Sequence, residues 1–422
     1  MFFILNYLCR IKLSRLIKFL YFAFLLIIFY FLIKVFHYEK SQKIILWWTP
    51  FMPNYDRIVK CQPGGYKCIL SSKREYLHDN KLGALMFYGS KILNHDFPLP
   101  RNEKIPWAIF HEESPKNYGP ILFKETQDLF NITSTFSQNS DFPVTLQYFG
   151  NLSLLTDEKY FVSLEDKNLF LKQLSPVLYI QSDCDTPIGR DYFVEELSKY
   201  IKIDSYGNCL KNKEFPKGLS KLYPLDVYNE EFMKFIAKYK FIISIENAAC
   251  EDYVTEKFWR PLIVGSIPVY LGATNIKDWM PNKNSAILVK NFKNAQSLAE
   301  FIKYVNENDT LYNSFLTHKT LKKIENNLLK SQILTDNPIT DFECYVCTHI
   351  HEQMNDYKIE NKNIYKCPKP NPHNKENTWD QHWDIGRCQS RALKLLISKN
   401  VSYTEEKFEE TWKYLYYNKK CY

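Results

Sequence analysis

The sequence FIISIENAACEDYVTEKFWR occupies residues 241–260 and decides the fold. Residues 241–245 are apolar and mostly β-branched, which predicts a buried strand. A polar loop follows, and residues 253–260 predict a helix that is stopped by Pro261. A strand, a loop and a helix in this order form the repeating unit of an α/β fold with parallel strands.

Similar short apolar runs lie on both sides of this segment and predict further strands. The alternation of strands with helices predicts two α/β domains, at residues 43–170 and 171–340, followed by a Cys-containing C-terminal extension over 341–422. Within the extension, the Lys, Asn and Pro content of residues 355–378 predicts a linker. The other predicted strands are 43–48, 84–88, 107–110, 177–180, 267–271 and 286–289, and the other predicted helices are 192–200, a segment around Leu298–Val305, and 390–398.

Composition excludes two functional classes. The chain of 422 residues has only 12 glycines and contains neither GxGxxG nor GxxxxGK[ST]. We therefore do not expect a glycine-rich phosphate loop, so side chains and helix N-termini must meet any bound phosphate. The net charge of +8 is concentrated in residues 1–40, and the rest of the chain is too weakly basic to predict nucleic-acid binding.

An uncharged apolar run at residues 19–33 predicts a membrane anchor. Because Lys18 and Lys34 can snorkel, the predicted transmembrane helix covers residues 16–36, which is long enough to cross a bilayer. The basic residues before it predict a cytosolic tail over residues 1–15, which makes the protein a single-pass type II membrane protein. Residues 37–42 are then a short stem between the membrane and the first domain. The alternative is a cleaved signal peptide, but no small-x-small cleavage site follows the run.

Eleven cysteines and four sequons agree with a lumenal body. Cys9 lies in the predicted tail, and the even number that remains fits disulfides in an oxidising compartment. Cys61 and Cys68 flank a turn-like sequence and are a plausible local pair. Cys344 and Cys347 are further disulfide candidates, although with His349 and His351 they also have zinc-like spacing. The N-glycosylation candidates are Asn131, Asn151, Asn308 and Asn400.

The loop and helix start within residues 246–257 predict an anion-binding site. Ligands of α/β proteins bind at the carboxyl ends of parallel strands, beside helix N-termini. Lys257 at such a helix start opposes the helix dipole, and its presence makes sense if an anion lies between the two. The alternative is a solvated helix start with an incidental lysine.

Two other polar loops follow predicted strands. HEESPKN at residues 111–117 places His111, Glu112 and Glu113 at the end of one strand, where they suit general-base catalysis. QSDCDTPIGR at residues 181–190 ends in Arg190, which suits bidentate phosphate binding. Asp183 and Asp185 in this second loop also match the D-x-D pattern of metal-dependent glycosyltransferases.

At these residues the sequence resembles the alpha-1,3-fucosyltransferases of glycosyltransferase family 10. The family pattern of Glu-Asn, D-Y-[IV]-T-E-K and G-x-[IV]-P-V-x-x-G is present at 246–247, 252–257 and 265–272. The family's E-S-P is present at 113–115 and its W-T-P-F at 48–51. HEESPKN, TSTFS, TEKFWRPL and FEC-x-VC are most similar to the branch of the tenth and eleventh animal members, which is protein O-fucosyltransferase-like.

The resemblance implies a GT-B architecture of two Rossmann-like domains with a cleft between them. It implies an inverting enzyme that uses GDP-fucose as a co-substrate, with no required metal or other cofactor. Glu113 matches the family's proposed general base. The positions that match its donor-binding residues are Arg190, Asn247, Tyr253, Glu256 and Lys257.

The resemblance leaves the acceptor open, because Ala248 and Pro261 replace the Ser and Asn of the Lewis-type members. The acceptor hydroxyl is either on GlcNAc of a glycan or on Ser or Thr of a disulfide-rich protein module. The expected location is the Golgi or endoplasmic reticulum membrane, with the catalytic body in the lumen. Two alternatives are a metal-dependent glycosyltransferase that uses Asp183 and Asp185, and a catalytically silent lumenal binding protein.

Overall fold

The computed structural model describes residues 24, 26–30, 42–52, 55–146, 149, 151–219, 229–332, 337–352, 363–370 and 378–422. The predicted tail lies outside the described residues, as do the predicted anchor and stem except for 24, 26–30 and 42. Residues 24 and 26–30 are helical. In the part of the chain that is described, no helix has both the length and the apolar character needed to cross a membrane.

A six-stranded sheet forms the first half of the body, in the order β2-β3-β1-β4-β5-β6. β2 pairs antiparallel with β3, and all other pairings are parallel. Its central strands are buried on both faces, which agrees with their continuous apolar sequences. The bounds are β1 Lys43–Thr49, β2 Arg57–Lys60, β3 Lys67–Ser71, β4 Leu82–Tyr88, β5 Trp107–His111 and β6 Ile132–Thr135.

A second sheet of five strands follows, in the order β11-β10-β9-β7-β8. All of its pairings are parallel. The chain order reverses between β7 and β9, which is the position where open α/β sheets bind ligands. The bounds are β7 Val177–Gln181, β8 Ile203–Gly207, β9 Phe241–Ile245, β10 Ile267–Leu271 and β11 Ile287–Leu288.

The prediction of an α/β fold with parallel sheets is confirmed. Helices connect the strands and pack against both sheets. Their bounds are α1 Lys124–Gln127, α2 Leu164–Phe170, α3 Arg190–Ser198, α4 Glu230–Ile236, α5 Glu256–Val264, α6 Ala295–Glu307, α7 Asp309–Ser314, α8 Thr317–Thr320, α9 Asn327–Lys330, α10 Pro338–His351, α11 Trp379–Ile397 and α12 Glu405–Tyr417.

The predicted stop at Pro261 is wrong, because this proline lies inside α5. The helix continues through Leu262, Ile263 and Val264, which are fully buried. Burial of three such side chains contributes several kcal/mol, which offsets the cost of about 3 kcal/mol for an interior proline. The helix ends at Gly265, which has φ +67° and adopts the left-handed conformation that glycine tolerates best.

The C-terminal extension packs against the first sheet. On α10, Glu343 accepts a hydrogen bond from Trp47 Nε1 at 2.8 Å. Helix α11 crosses residues 119–127 so closely that a Cβ on Gly386 would lie 3.2 Å from the Gly119 backbone. The extension therefore completes the core of the first half of the molecule.

The predicted linker at 355–378 is wrong where the structure describes it, at residues 363–370. Ile364 and Tyr365 are only 2% and 3% exposed. Cys367 forms a disulfide with Cys250, in the loop after β9. We refer to residues 363–370 as the strap. Residues 355–362 and 371–377 lie outside the described residues.

The predicted local pair of Cys61 with Cys68 is also wrong. The register of β2 with β3 places Val59 opposite Cys68, so Cys61 has no opposing cysteine. Both cysteines bond instead to α10, as Cys61–Cys344 and Cys68–Cys347. Residues three apart in a helix share one face, so one helix can bind both positions. The remaining disulfides are Cys184–Cys209, Cys250–Cys367 and Cys388–Cys421.

Candidate active site

A cavity of about 500 Å³ lies at the carboxyl edge of the second sheet, where the chain order reverses. We refer to it as the switch-point cavity. Four of the predicted donor-binding residues line it: Arg190, Asn247, Glu256 and Lys257. Its size and location are typical of a nucleotide or small-ligand site in an α/β protein.

Arg190 connects the two strands that flank the switch point. It is the first residue of α3, after β7, and its side chain is almost fully buried. Its Nη1 donates to Asn247 Oδ1 at 2.7 Å, in the loop after β9, and its Nη2 donates to the Asp183 carbonyl. Its Nε has no hydrogen-bond partner among the described residues. A buried guanidinium with a spare donor at a cavity wall suits an anionic ligand.

Glu246 fixes the start of α5. It is fully buried, and its two oxygens accept from the Thr255 amide at 2.8 Å and the Thr255 hydroxyl at 2.7 Å. Thr255 is the N-cap of α5, so this contact sets the direction in which the helix N-terminus points. Burial raises the pKa of Glu246, while the charge of Lys257 opposes that change.

Lys257 lies between two carboxylates at the cavity wall. Its Nζ is 3.6 Å from Glu246 Oε2 and 3.3 Å from Glu256 Oε1. Burial favours the neutral amine, but Glu256 and Glu246 outweigh it and raise the pKa of Lys257, so the side chain is cationic at neutral pH. For Glu256, burial is likewise outweighed by Lys257 and Arg260, which lower its pKa to about 2. Glu246, Glu256 and Lys257 thus form a charged network at the start of α5.

Burial, followed by the charges of Glu113, Glu246 and Glu256, raises the pKa of Tyr253, so its hydroxyl lies within electrostatic range of the other predicted site residues. The ring of Tyr253 is 1% exposed and packs against Phe136 of the first half at 4.9 Å between centroids. It is absent from the described lining of the switch-point cavity. In this structure it joins the loop after β9 to the core around the first sheet.

Glu113 belongs to the loop after β5, and its carboxylate is electrostatically coupled to the second half of the molecule. Burial raises its pKa, the charge of Lys257 lowers it, and Glu256 raises it again. These couplings place the carboxylate within electrostatic range of the helix start of α5. A partly buried carboxylate with a raised pKa beside a cation suits a general base.

The two residues before Glu113 are held inside the first half. His111 is fully buried, and its Nδ1 lies 2.6 Å from the Tyr365 hydroxyl of the strap. Burial lowers the pKa of His111 to about 3, so the ring is neutral. Glu112 accepts from the Tyr88 hydroxyl at 3.2 Å, and burial raises its pKa to about 7. Of the three residues, Glu113 is the one coupled to the switch-point cavity.

The D-x-D carboxylates have protein partners. Lys116 Nζ donates to both oxygens of Asp183, at 2.6 and 2.7 Å, and also to the Asp185 carbonyl. The Asp185 carboxylate accepts from Trp379 Nε1 at 2.6 Å. Lys116 follows β5 and Asp183 follows β7, so the ion pair connects the two halves of the molecule.

The remaining predicted sites are surface or covalent features. Cys344 and Cys347 are in disulfides, so they do not provide the zinc site that their spacing also allowed. The four sequon asparagines each use Oδ1 as an acceptor; Asn151 and Asn400 are exposed, and Asn131 and Asn308 are partly buried.

Three functional features were missed by the sequence analysis. The first is Glu246 as the anchor of the α5 cap, and the second is Lys116 as the bridge between the halves. The third is the pair Trp379 and Trp383, which form the wall of another cavity. Two tryptophans four residues apart, just after a polar stretch, are a signal that was available in the sequence.

Family models cover most of the chain. The model described as "Glycosyltransferase family 10 (fucosyltransferase) C-term" matches residues 171–367. The model described as "Fucosyltransferase, N-terminal" matches residues 39–148.

Similar proteins have related names. "GDP-fucose protein O-fucosyltransferase 3" of Xenopus laevis is 38% identical over 400 residues, covering 88% of this chain and 84% of the relative. "Alpha-(1,3)-fucosyltransferase B" of Drosophila melanogaster is 38% identical over 412 residues, covering 91% of each. A crystal structure of an alpha1,3-fucosyltransferase aligns with a TM-score of 0.46 and 15% identity, covering 75% of this chain and 91% of that one.

Proposed function

The chain belongs to glycosyltransferase family 10, the fucosyltransferases, and we propose that it moves fucose from GDP-fucose to a Ser or Thr hydroxyl of a protein. The donor follows from the names of similar proteins, among them the relative from Xenopus laevis. The same name supports a protein acceptor. The name of the Drosophila relative gives an alpha-(1,3) linkage, and alpha-1,3-transfer to GlcNAc of a glycan is the alternative that the experiment below separates.

One observation carries the proposal. Arg190, Asn247 and Lys257 line one cavity at the switch point, and Glu113 of the other half is electrostatically coupled to Lys257 and Glu256 at the start of α5. The candidate cations and the candidate base thus come from different halves of the molecule. This division supports the GT-B arrangement, in which the donor is bound by one domain and the acceptor is activated from the other.

In the proposed step, the acceptor hydroxyl attacks the anomeric carbon of fucose as its bond to the β-phosphate oxygen breaks. Glu113 accepts the hydroxyl proton, and GDP leaves with the electrons of the broken bond. Arg190 and Lys257 stabilise the negative charge that grows on the diphosphate. Single displacement by the acceptor inverts the configuration of the anomeric carbon.

We further propose that the reaction needs no metal. Asp183 and Asp185 are engaged by Lys116 and Trp379, so metal binding would require both contacts to break. The cations of Arg190 and Lys257 can neutralise the leaving group instead.

We propose that the protein is a single-pass type II protein of the Golgi or endoplasmic reticulum membrane, anchored by residues 16–36. The apolar run at 19–33 supports the anchor. The five disulfides support a lumenal body, because such bonds persist in oxidising compartments.

A donor titration tests this function. The full chain, purified in detergent, is titrated calorimetrically with GDP-fucose, a UDP-sugar and a CMP-sugar. We expect the affinity for GDP-fucose to exceed the others by at least tenfold, which corresponds to about 1.4 kcal/mol. Comparable affinity for the UDP-sugar would refute the proposal. Fucose transferred to protein is then released by an N-glycanase or by β-elimination; label released by β-elimination as free fucitol identifies Ser or Thr as the acceptor, and label released on a larger glycan identifies GlcNAc.

A further inference from the structure

A second cavity, of about 460 Å³, lies between three parts of the chain. We refer to it as the tryptophan cavity. Its walls include Pro115 after β5, Pro187 before α3, and Trp379 and Trp383 on α11. The C-terminal extension thus provides a wall that neither sheet provides by itself.

The tryptophan cavity adjoins the reacting groups. Pro115 and Lys116, on its wall, are two and three residues beyond Glu113. Ala248, also on its wall, follows Asn247, which lines the switch-point cavity. The Lys116–Asp183 ion pair connects a residue of one lining with a residue of the other. A molecule in the tryptophan cavity is therefore next to both the base and the donor loop.

The chemistry of the walls favours an apolar occupant. Three polar side chains of the lining are engaged within the protein: Lys116 with Asp183, Trp379 Nε1 with Asp185, and Lys369 with Asp384 at 2.8 Å. The lining offers a carbohydrate mainly His382 and Gln389, so sugar hydroxyls buried here would replace few of the hydrogen bonds that they lose to water. Proline and tryptophan surfaces instead offer good contact to apolar side chains of a polypeptide.

The walls are held in place by covalent and close-packed contacts. Cys367, on the lining, is bonded to Cys250 beside Ala248. Helix α11 carries Cys388, bonded to Cys421, and its Gly386 packs directly on Gly119. Trp383 packs edge-on against Phe123 at 5.5 Å between centroids. A preformed cavity loses less entropy when a ligand binds, which favours specific recognition.

We infer that the tryptophan cavity is the acceptor site and that it binds an apolar side chain of the acceptor polypeptide, placing a neighbouring Ser or Thr hydroxyl at Glu113. The inference rests on the proposed function and identifies its acceptor surface. Trp379 and Trp383 then determine acceptor specificity, whereas Arg190 and Lys257 bind the donor.

Transfer into a defined pool tests the inference. The acceptor probe is the secreted protein of cells that cannot make GDP-fucose, so its sites are unfucosylated, and the donor is radiolabelled GDP-fucose. Full-length wild type is compared with Trp383→Ala and Trp379→Ala. Trp383→Phe serves as the conservative rescue, and Tyr417→Ala, whose side chain is 78% exposed on α12, is the matched control. Label released by N-glycanase and by β-elimination is counted separately.

We expect each tryptophan-to-alanine change to lower Ser/Thr-linked label on the order of 10–30-fold, as for interface hot spots. GDP affinity should stay within about threefold, Trp383→Phe should recover part of the rate, and Tyr417→Ala should match wild type. Normal Ser/Thr labelling by both alanine variants would overturn the inference while leaving the proposed function intact. Loss of GDP affinity in these variants would assign the tryptophans to the donor site or the fold and would also overturn it.

Two further outcomes separate the inference from the proposed function. Label on N-glycans that disappears in the tryptophan variants would mean that the cavity binds carbohydrate, which overturns the polypeptide occupant and the proposed acceptor together. GDP-fucose binding without any labelled protein would overturn the protein acceptor, and the inference with it.

Discussion

The two sheets have the same order of parallel strands but use their switch points differently. In the first sheet, the chain order reverses between β1 and β4, and the rings of Phe51 and Tyr88 pack there at 5.0 Å between centroids. In the second sheet it reverses between β7 and β9, where Arg190 and Asn247 line a cavity. A shared topology therefore supplies a possible site, and the side chains after the strands decide whether it is filled or open.

The two halves also differ in their contacts with the C-terminal extension. The first half receives α10, α11 and the strap, which hold its loops by disulfides and by the contact of Tyr365 with His111. The second half keeps a network of opposite charges at the start of α5. The first half is thus cross-linked to the extension, whereas the second half carries a network of opposite charges beside a cavity.

The largest expected effect comes from Glu113→Gln. Gln keeps the shape of the side chain but cannot accept the proton, and a positioned base contributes about 10²–10⁴-fold to rate. Transfer should fall by this amount in a radiolabel assay, with GDP affinity nearly unchanged. Glu112→Gln is the matched control, since it removes a neighbouring carboxylate that contacts Tyr88. If the Glu113 variant keeps more than about a tenth of the rate while the Glu112 variant loses it, the base has been assigned to the wrong residue.

Removal of either cation from the second half should have the next largest effect. Arg190→Ala or Lys257→Ala removes a cation that lines the switch-point cavity, where we propose that the diphosphate binds, and we expect transfer to fall by about 10²–10³-fold. Lys303→Ala, on the exposed face of α6, controls for the general loss of one positive charge. Rates within about threefold of wild type for both site variants would mean that the phosphates bind elsewhere.

A smaller effect on stability is expected from Glu112→Gln. Burial raises the folded-state pKa of Glu112 to about 7, above the ordinary value of 4.5. The stability that it contributes is therefore fully present below pH 4.5 and is lost as pH rises through about 7. Between pH 5 and pH 8, we expect the free energy of unfolding of the wild type to fall by on the order of 3 kcal/mol more than that of the Gln variant. The Tm of the wild type should therefore fall further over this range. Parallel Tm curves over this range would show that the buried carboxyl is not perturbed in this way.

The smallest expected effect is that of chelation. Because Asp183 is paired with Lys116 and Asp185 with Trp379, we expect transfer to be unchanged in EDTA. Loss of activity in EDTA and its return with Mn²⁺ would indicate instead a metal-dependent glycosyltransferase that uses Asp183 and Asp185.

Much of the fold could be predicted because its strands are short, continuous apolar runs. The prediction of residues 241–245 matches β9 at both ends, and those for β1, β5 and β7 differ by one residue. The stop at Pro261 failed because tertiary burial outweighed the local cost of proline. The predictions of a linker and of a local disulfide were wrong because the strap and α10 form disulfides with cysteines more than a hundred residues away in the sequence. The spacing of cysteines along the chain does not show which distant cysteines meet in the fold.

The candidate site was predicted in part. Strand ends beside helix starts identified Arg190, Asn247, Glu256 and Lys257, and the structure brings these four together. Tyr253 does not line the switch-point cavity; its ring packs in the core around the first sheet, while its hydroxyl is electrostatically coupled to Glu113 and Arg190. The spacing of Trp379 and Trp383 was visible in the sequence, but the cavity that they line was not, because its walls come from three distant segments that only the folded chain brings together.

The most direct test of the division between the two sheets is a calorimetric titration with GDP. Wild type, Glu113→Gln and Arg190→Ala are compared under identical conditions, so that the two substitutions probe the two halves separately. We expect Glu113→Gln to bind GDP within about threefold of wild type and Arg190→Ala to bind at least about thirtyfold more weakly, a difference of about 2 kcal/mol. Equal GDP affinity of Arg190→Ala and wild type, or loss of GDP binding in Glu113→Gln, would contradict the assignment of the donor to the second sheet.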